Sequence, residues 1–230
     1  MKTIGMIGGL GPESTVDYYK RIIEEYRKIT DNGTYPKILI NSVDMTAVLK
    51  MTADKNLSGL ADLLADSINA LYKAGADFGF ISANTPHIVF DEVQKLSPIP
   101  LISIVEETCK TAQKHGLKNV GLMGTLFTMK SSFYQKVFNA HNISVAVPFE
   151  IEQQYIHQKL MDEIELGHFF SSTRAGLLDI AKRMINENRV DGIVLGCTEL
   201  PLIITKDEFG VPFLNTTQIH VESIVDACLL

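Results

Sequence analysis

The 230-residue sequence contains no tryptophan, three cysteines, and no uninterrupted apolar run of the length a membrane-spanning helix requires, about 18 residues. It opens with Met1-Lys2-Thr3-Ile4 and passes straight into a strand-like segment, without a basic region followed by a long apolar stretch. A secretory leader is therefore not expected, and a cytoplasmic location is. Cys109, Cys197 and Cys228 are odd in number, widely spaced and without a CxxC pair, which argues against a disulfide framework and a zinc site and for free thiols. The six histidines are scattered, and none stands at i,i+4 from another metal-type ligand with a carboxylate between them, so no metal is predicted. Positive charge is also in deficit, with 21 Lys and Arg against 27 Asp and Glu and a net charge of −6. Nucleic acids and anionic membranes are bound through clustered cations, so neither is an expected partner and small molecules are.

What is present is the composition of a folded domain, 46% hydrophobic and 21% charged. The length permits one large domain or two of about 100 residues. Thr3–Ile7, Lys37–Asn41, Phe78–Ile81, Leu101–Ile104, Val120–Met123, Val145–Val147, Ile193–Leu195 and Pro212–Leu214 read as strands, with amphipathic helical patterns between them. Short runs apolar on both faces and separated by helices predict parallel strands covered on each side, an α/β architecture.

The chain also repeats itself. Ile4-Gly5-Met6-Ile7-Gly8 matches Val120-Gly121-Leu122-Met123-Gly124 at an offset of 116, which also pairs Tyr18 with Tyr134 and Lys20 with Lys136. Ala76–Thr85 lies over Val190–Glu199 at an offset of 114, placing Ala83 on Cys197, and Pro98–Leu101 lies over Gly210–Phe213 at 112. Any two βα units look somewhat alike, but three matches in one order predict duplicated architecture. Two such halves would present strand C-termini along facing edges, with a cleft for the chemistry between them.

Three segments at strand ends carry candidate chemistry. In Gly8-Gly9-Leu10-Gly11-Pro12-Glu13-Ser14 the glycines allow close approach of a ligand or positive φ. The third glycine of a dinucleotide fingerprint is replaced by Ser14, so the turn fits a carboxylate at a helix N-terminus better than a cofactor phosphate. In Ser82-Ala83-Asn84-Thr85-Pro86-His87, Asn84 or Thr85 serves either as a plain helix cap or as a site residue. Gly196-Cys197-Thr198-Glu199-Leu200-Pro201 puts a thiol at a helix N-terminus, a place that favours thiolate, whereas Cys109 and Cys228 fall in helical patterns and read as packing residues.

Together, the opening Lys2–Pro12, the Ala83–His87 segment and Gly196-Cys197-Thr198-Glu199 resemble the aspartate/glutamate racemase family along the whole chain. The resemblance implies two pseudo-symmetric, doubly wound parallel-sheet (Rossmann-like) domains, 1–98 with 209–230 and 99–208, with the site in the cleft between them. It further implies no cofactor, a homodimer, and an amino acid or small dicarboxylic acid as ligand. In that family one thiolate removes the Cα proton and a second thiol returns one on the opposite face. Cys197 is then one base and Ala83 stands where the other is missing. Leu10, Gly11, Met45, Asn84, Thr85, Thr125, Thr198 and Glu199 are implied to line the substrate, with hydrogen-bond donors among them stabilising the developing carbanion.

Three departures bear on activity. Ala83 cannot carry a proton, so either a thiol has been removed or the chemistry uses one base. Met45 stands where relatives tend to have Arg, and Glu165 where they can have Lys; Lys50 and Lys55 are the remaining candidates for a side-chain carboxylate. The expected function is cofactor-independent racemisation of aspartate or glutamate, impaired by Ala83. The alternatives are a one-thiol decarboxylase or cis–trans isomerase of small dicarboxylic acids using Cys197, and a non-catalytic carboxylate-binding protein.

Overall fold

The computed structural model describes residues 1–31 and 33–230. It divides into two compact units, Met1–Ile104 with His220–Leu230, and Val105–Ile219.

The first unit runs β1 (Ile4–Gly8), α1 (Pro12–Thr30), β2 (Ile38–Ser42), α2 (Met45–Ala53), α3 (Leu57–Lys73), β3 (Phe78–Ile81), a 3-10 turn (Thr85–Val89), α4 (Phe90–Leu96) and β4 (Leu101–Ile102). Its sheet is fully parallel in the order β2-β1-β3-β4, with Ile7 opposite Ile81 and Gly79 opposite Leu101. Alternate residues leave the sheet on opposite sides. Ile7 and Ile81 pack on Leu60, Leu64 and Ile68 of α3 and Val93 of α4. Met6 and Phe80 pack on the other side against Tyr18 and Ile22 of α1 and against Val221, Ile224 and Val225 near the chain's end. Both faces are therefore apolar, which is why these strands read as continuous hydrophobic runs rather than alternating ones.

The second unit repeats the plan with α5 (Ile104–Lys114), β5 (Asn119–Gly124), α6 (Leu126–Lys130), α7 (Phe133–Ala140), β6 (Ser144–Ala146), α8 (Glu150–Asp162), a 3-10 turn (Ile164–Leu166), α9 (Ser171–Asn188), β7 (Gly192–Gly196), α10 (Leu200–Ile203) and β8 (Phe213–Asn215). Helix α11 (Thr216–Leu229) then carries the chain back into the first unit. The second sheet has the order β6-β5-β7-β8, again all parallel. Met123 lies opposite Leu195 as Ile7 lies opposite Ile81, so the offsets of 116 and 114 in the sequence appear as one shared register. Tyr18 and Tyr134, paired by the first offset, are both fully buried.

The expected strands all form, and the α/β assignment holds. Strand ends lie within one residue of those expected except at β4, which stops at Ile102 instead of Ile104. Two buried histidines take up the backbone groups beyond it. His220 Nε2 donates to Ile102 O at 3.0 Å, and Ile104 N–H donates to His87 Nε2 at 3.3 Å as α5 begins.

In each sheet the chain first steps outward to one neighbour of its opening strand and then crosses to the other side. The order therefore reverses between β1 and β3, and between β5 and β7. Beyond the C-terminal ends of such a strand pair the connections diverge, which is where open α/β sheets bind ligands. Gly9–Gly11 and Ser82–Asn84 follow β1 and β3; Thr125 and Cys197-Thr198 follow β5 and β7. The turn after β1 requires glycine: Gly9 has φ of +76°, and a Cβ there would lie 2.3 Å from Val43 O.

Candidate active site

At the second unit's switch point β5 and β7 approach closely, because a Cβ on Gly124 would sit 2.8 Å from Gly196 O. Thr125 caps α6, its Oγ1 accepting from Thr128 N–H at 3.2 Å. Across from it, Cys197 leaves the end of β7 with its side chain buried. Its Sγ–H donates to Glu199 Oε2 at 2.9 Å, and Thr198 Oγ1 donates to the same oxygen at 2.7 Å. Glu165 completes the group from the turn after α8. That turn is held by Ile164, buried in the unit's core, and by Glu163, which accepts from Lys159 and Thr173.

Burial and neighbouring charge together set the state of the thiol. Burial, then the Glu199 carboxylate, then the hydrogen bond to it push Cys197 well above the ordinary thiol range, and Glu165 adds to the shift. The expectation of a thiolate at a helix N-terminus is thereby corrected. Helix α10 is four residues long, and its end is outweighed by burial beside two carboxylates. Glu165 is pushed up to about 7 by burial and by Glu199. It makes no hydrogen bond or ion pair among the described residues. Tyr134 is held neutral by burial and by the nearby Cys197. Glu165, Cys197 and Glu199 each offer one ligand atom, and these lie within 4.8 Å of one another, so this is the place among the described residues where a cation could be held.

At the first unit's switch point Ala83 presents only a methyl group, packed against the core beneath β1 and β3. The polypeptide around it is tightly held. Ser82 N–H and Oγ–H both donate to Ile7 O, at 3.1 and 2.8 Å, and Ser14 Oγ donates to Ser82 O at 2.8 Å. Asn84 is buried at the head of the 3-10 turn, but its side chain does not cap that turn. His87 is buried beside His220, and both imidazoles are driven toward the neutral form, to about 3 and about 4, with desolvation the largest cause.

The structure thus gathers Cys197, Thr198 and Glu199 at one strand end with Thr125 just beyond the end of the neighbouring strand. It sets Ala83, Asn84 and Thr85 beside Leu10 and Gly11 in the same way. Gly11 has φ of +136° at the head of α1. Met45, half-buried, opens α2 after the Asp44 cap. Lys50 and Lys55 are exposed in the last turn of that helix and beyond it, away from its Met45 end. Two residues outside the expected set belong to this environment, Glu165 and Tyr134. The signal for the first was its reversal of an expected charge, and for the second the Tyr18–Tyr134 match.

The model of the family described as Asp/Glu/hydantoin racemase matches residues 7–224. The chain is 27% identical over 229 residues to the broad specificity amino-acid racemase RacX of Bacillus subtilis (strain 168), covering 98% of both. Among solved structures it is similar to an aspartate racemase homologue from Pyrococcus horikoshii OT3, with 31% identity, complete coverage of both chains and a TM-score of 0.89. The Picrophilus torridus aspartate racemase shares the fold, with a TM-score of 0.75 at 23% identity over 99% of this chain and 94% of that one. A family match over nearly the whole length, on a duplicated α/β frame with a thiol at one switch point, shows that this chain belongs to the Asp/Glu/hydantoin racemase family.

Proposed function

We propose that this family frame performs cofactor-independent racemisation of an amino acid by two-base proton transfer at Cα, with Cys197 as one base and position 83 as the place of the other, and that Ala83 impairs it. The observation that carries the reading is the Cys197 thiol hydrogen-bonded to Glu199 at the end of β7, the register position that Ala83 occupies at the end of β3. A thiol in that state is a proton donor to a carbanion. Turnover in that direction needs a base at position 83, and alanine supplies none. For turnover in the opposite direction Cys197 must first lose its proton, and Glu199 Oε2, already its hydrogen-bond acceptor, is the group placed to take it.

Asn84, Thr85, Thr125 and Thr198, with the turn at Leu10-Gly11, are the groups we assign to the substrate's α-carboxylate. The relatives' names favour aspartate or glutamate as substrate, and we assign the enzyme to the cytoplasm as a homodimer. No helix among the described residues is long and apolar enough to cross a membrane. The test is Ala83→Cys incubated with each enantiomer of aspartate, glutamate and a panel of other amino acids in deuterated water. Gain of Cα deuterium and loss of optical rotation are expected; neither appearing for any amino acid would sink the proposal.

A second reading draws on the same protonated thiol. One thiol suffices for a decarboxylase, which delivers a single proton to the carbanion left by loss of carbon dioxide, or for a cis–trans isomerase of small dicarboxylic acids, in which the same group adds to the double bond and leaves again after rotation. Carbon dioxide release or isomerisation by the Ala83 chain itself, abolished by Cys197→Ser, would select it over racemisation.

A further inference from the structure

Residue 83 is held by more than its place at the end of β3. The chain leaves that strand into a 3-10 turn in which His87 N–H donates to Asn84 O at 3.0 Å. An α-helical turn would instead send that N–H to the carbonyl of residue 83, and the next N–H back along the chain to the carbonyl of residue 82. Residue 86 is proline and has no N–H to send. Both carbonyls at the end of the strand are thereby deprived of backbone donors inside a buried region, where an unmade hydrogen bond costs about 1–3 kcal/mol.

Two side chains replace the missing donors. Ser14 Oγ donates to Ser82 O at 2.8 Å, and His87 Nδ1 lies 2.8 Å from Ala83 O. A carbonyl only accepts, so the proton is on Nδ1. Nε2 is then free to accept from Ile104 N–H at 3.3 Å as α5 begins. The ring is fixed in plane by stacking on Phe90, at 5.1 Å between centroids and 6° between planes. Ser14 is the residue that breaks the glycine pattern after β1, and this bond gives its hydroxyl a use.

We infer that His87 and Ser14 are positioning residues that hold the peptide of residue 83, and with it the base that a residue there would carry. The inference rests on the two-base reading above. In such a mechanism each base removes the Cα proton of one enantiomer, so a misplaced residue 83 slows one enantiomer and spares the other. A fold weakened in general would slow both.

The test uses the full chain with Ala83→Cys and follows washout of Cα deuterium from each enantiomer of its best substrate. The enantiomer served by position 83 is identified with Ala83→Cys/Cys197→Ser. His87→Gln keeps an amide near the Nε2 position and abandons the carbonyl of residue 83. It is expected to slow that enantiomer about tenfold or more while changing the other less than about twofold. His87→Asn places its amide near Nδ1, keeps the bond to residue 83, and is expected to hold both rates within about threefold of the parent. Ser14→Ala is expected to follow His87→Gln in its asymmetry. Equal slowing of both enantiomers, or Asn and Gln behaving alike, overturns the inference. No washout from either enantiomer with Ala83→Cys alone overturns the racemase reading instead and takes the inference with it. Circular dichroism of each variant separates these results from loss of fold.

Discussion

Lowering the pH from 8 to 5 is expected to weaken the first unit through His87 and His220. Burial holds both imidazoles neutral, with pKa values brought down from 6.5 to about 3 and about 4. Between those values and 6.5 the unfolded chain binds protons that the folded chain refuses, so stability rises with pH and is lost on acidification. At pH 5 each imidazole lies about 1.5 units below its unfolded pKa and still above its folded one, a loss of about 2 kcal/mol each. That figure depends on the unfolded value and hardly on how far below 5 the folded value lies. Glu165, raised to about 7 from 4.5, works in the opposite direction in the second unit. A carboxyl that protonates more readily when folded gains stability as pH falls through about 7. Discounted for its partial exposure, the gain is no more than about 2 kcal/mol at pH 5. The measurement that isolates the histidines is a double difference. Urea unfolding of the parent and of His87→Asn is followed by far-ultraviolet circular dichroism at both pH values, since the chain has no tryptophan to report. The parent's stability relative to the variant should fall by about 2 kcal/mol from pH 8 to pH 5. A difference that stays constant would refute the assignment of a neutral buried imidazole.

Two further outcomes follow from the site and its turn. Glu199→Gln removes the largest charge raising Cys197 and should speed alkylation of that thiol by a neutral reagent at pH 8 about tenfold or more, read by mass spectrometry of its peptide; an unchanged rate would mean burial alone sets the thiol's state. Gly9→Ala should destabilise more than Gly33→Ala by at least about 1 kcal/mol. Both glycines have similar positive φ, +76° and +72°, but only at Gly9 would the added methyl meet backbone; equal losses in urea unfolding would show that the turn relaxes.

How much of this was legible in the sequence follows from the range of the forces involved. The strands could be read because burial on both sides of a parallel sheet imposes a local run of apolar residues. The pairing of Ala83 with Cys197 could be read because duplication leaves a nearly constant offset, and the sheets convert that offset into register. The protonation of Cys197 could not be read. A strand end followed by a helix is a local pattern, whereas Glu165 comes from a turn 32 residues earlier whose position depends on the packing of Ile164 and on the bonds Glu163 makes. The end of β4 was misjudged for a similar reason, since the groups that stop it are imidazoles from residues 87 and 220.

The route of the chain has a consequence for its synthesis. Val221, Ile224, Val225 and Cys228 of α11 complete one side of the first sheet, and Lys2 N–H donates to Cys228 O at 2.8 Å. A nascent chain emerging from the ribosome can assemble all four strands of the second unit while α1 alone covers Ile4, Met6, Phe78 and Phe80 on that side of the earlier-made first unit. The half made first is therefore the half finished last. Termination before Val221 would leave part of that apolar face open for chaperones and proteases to recognise.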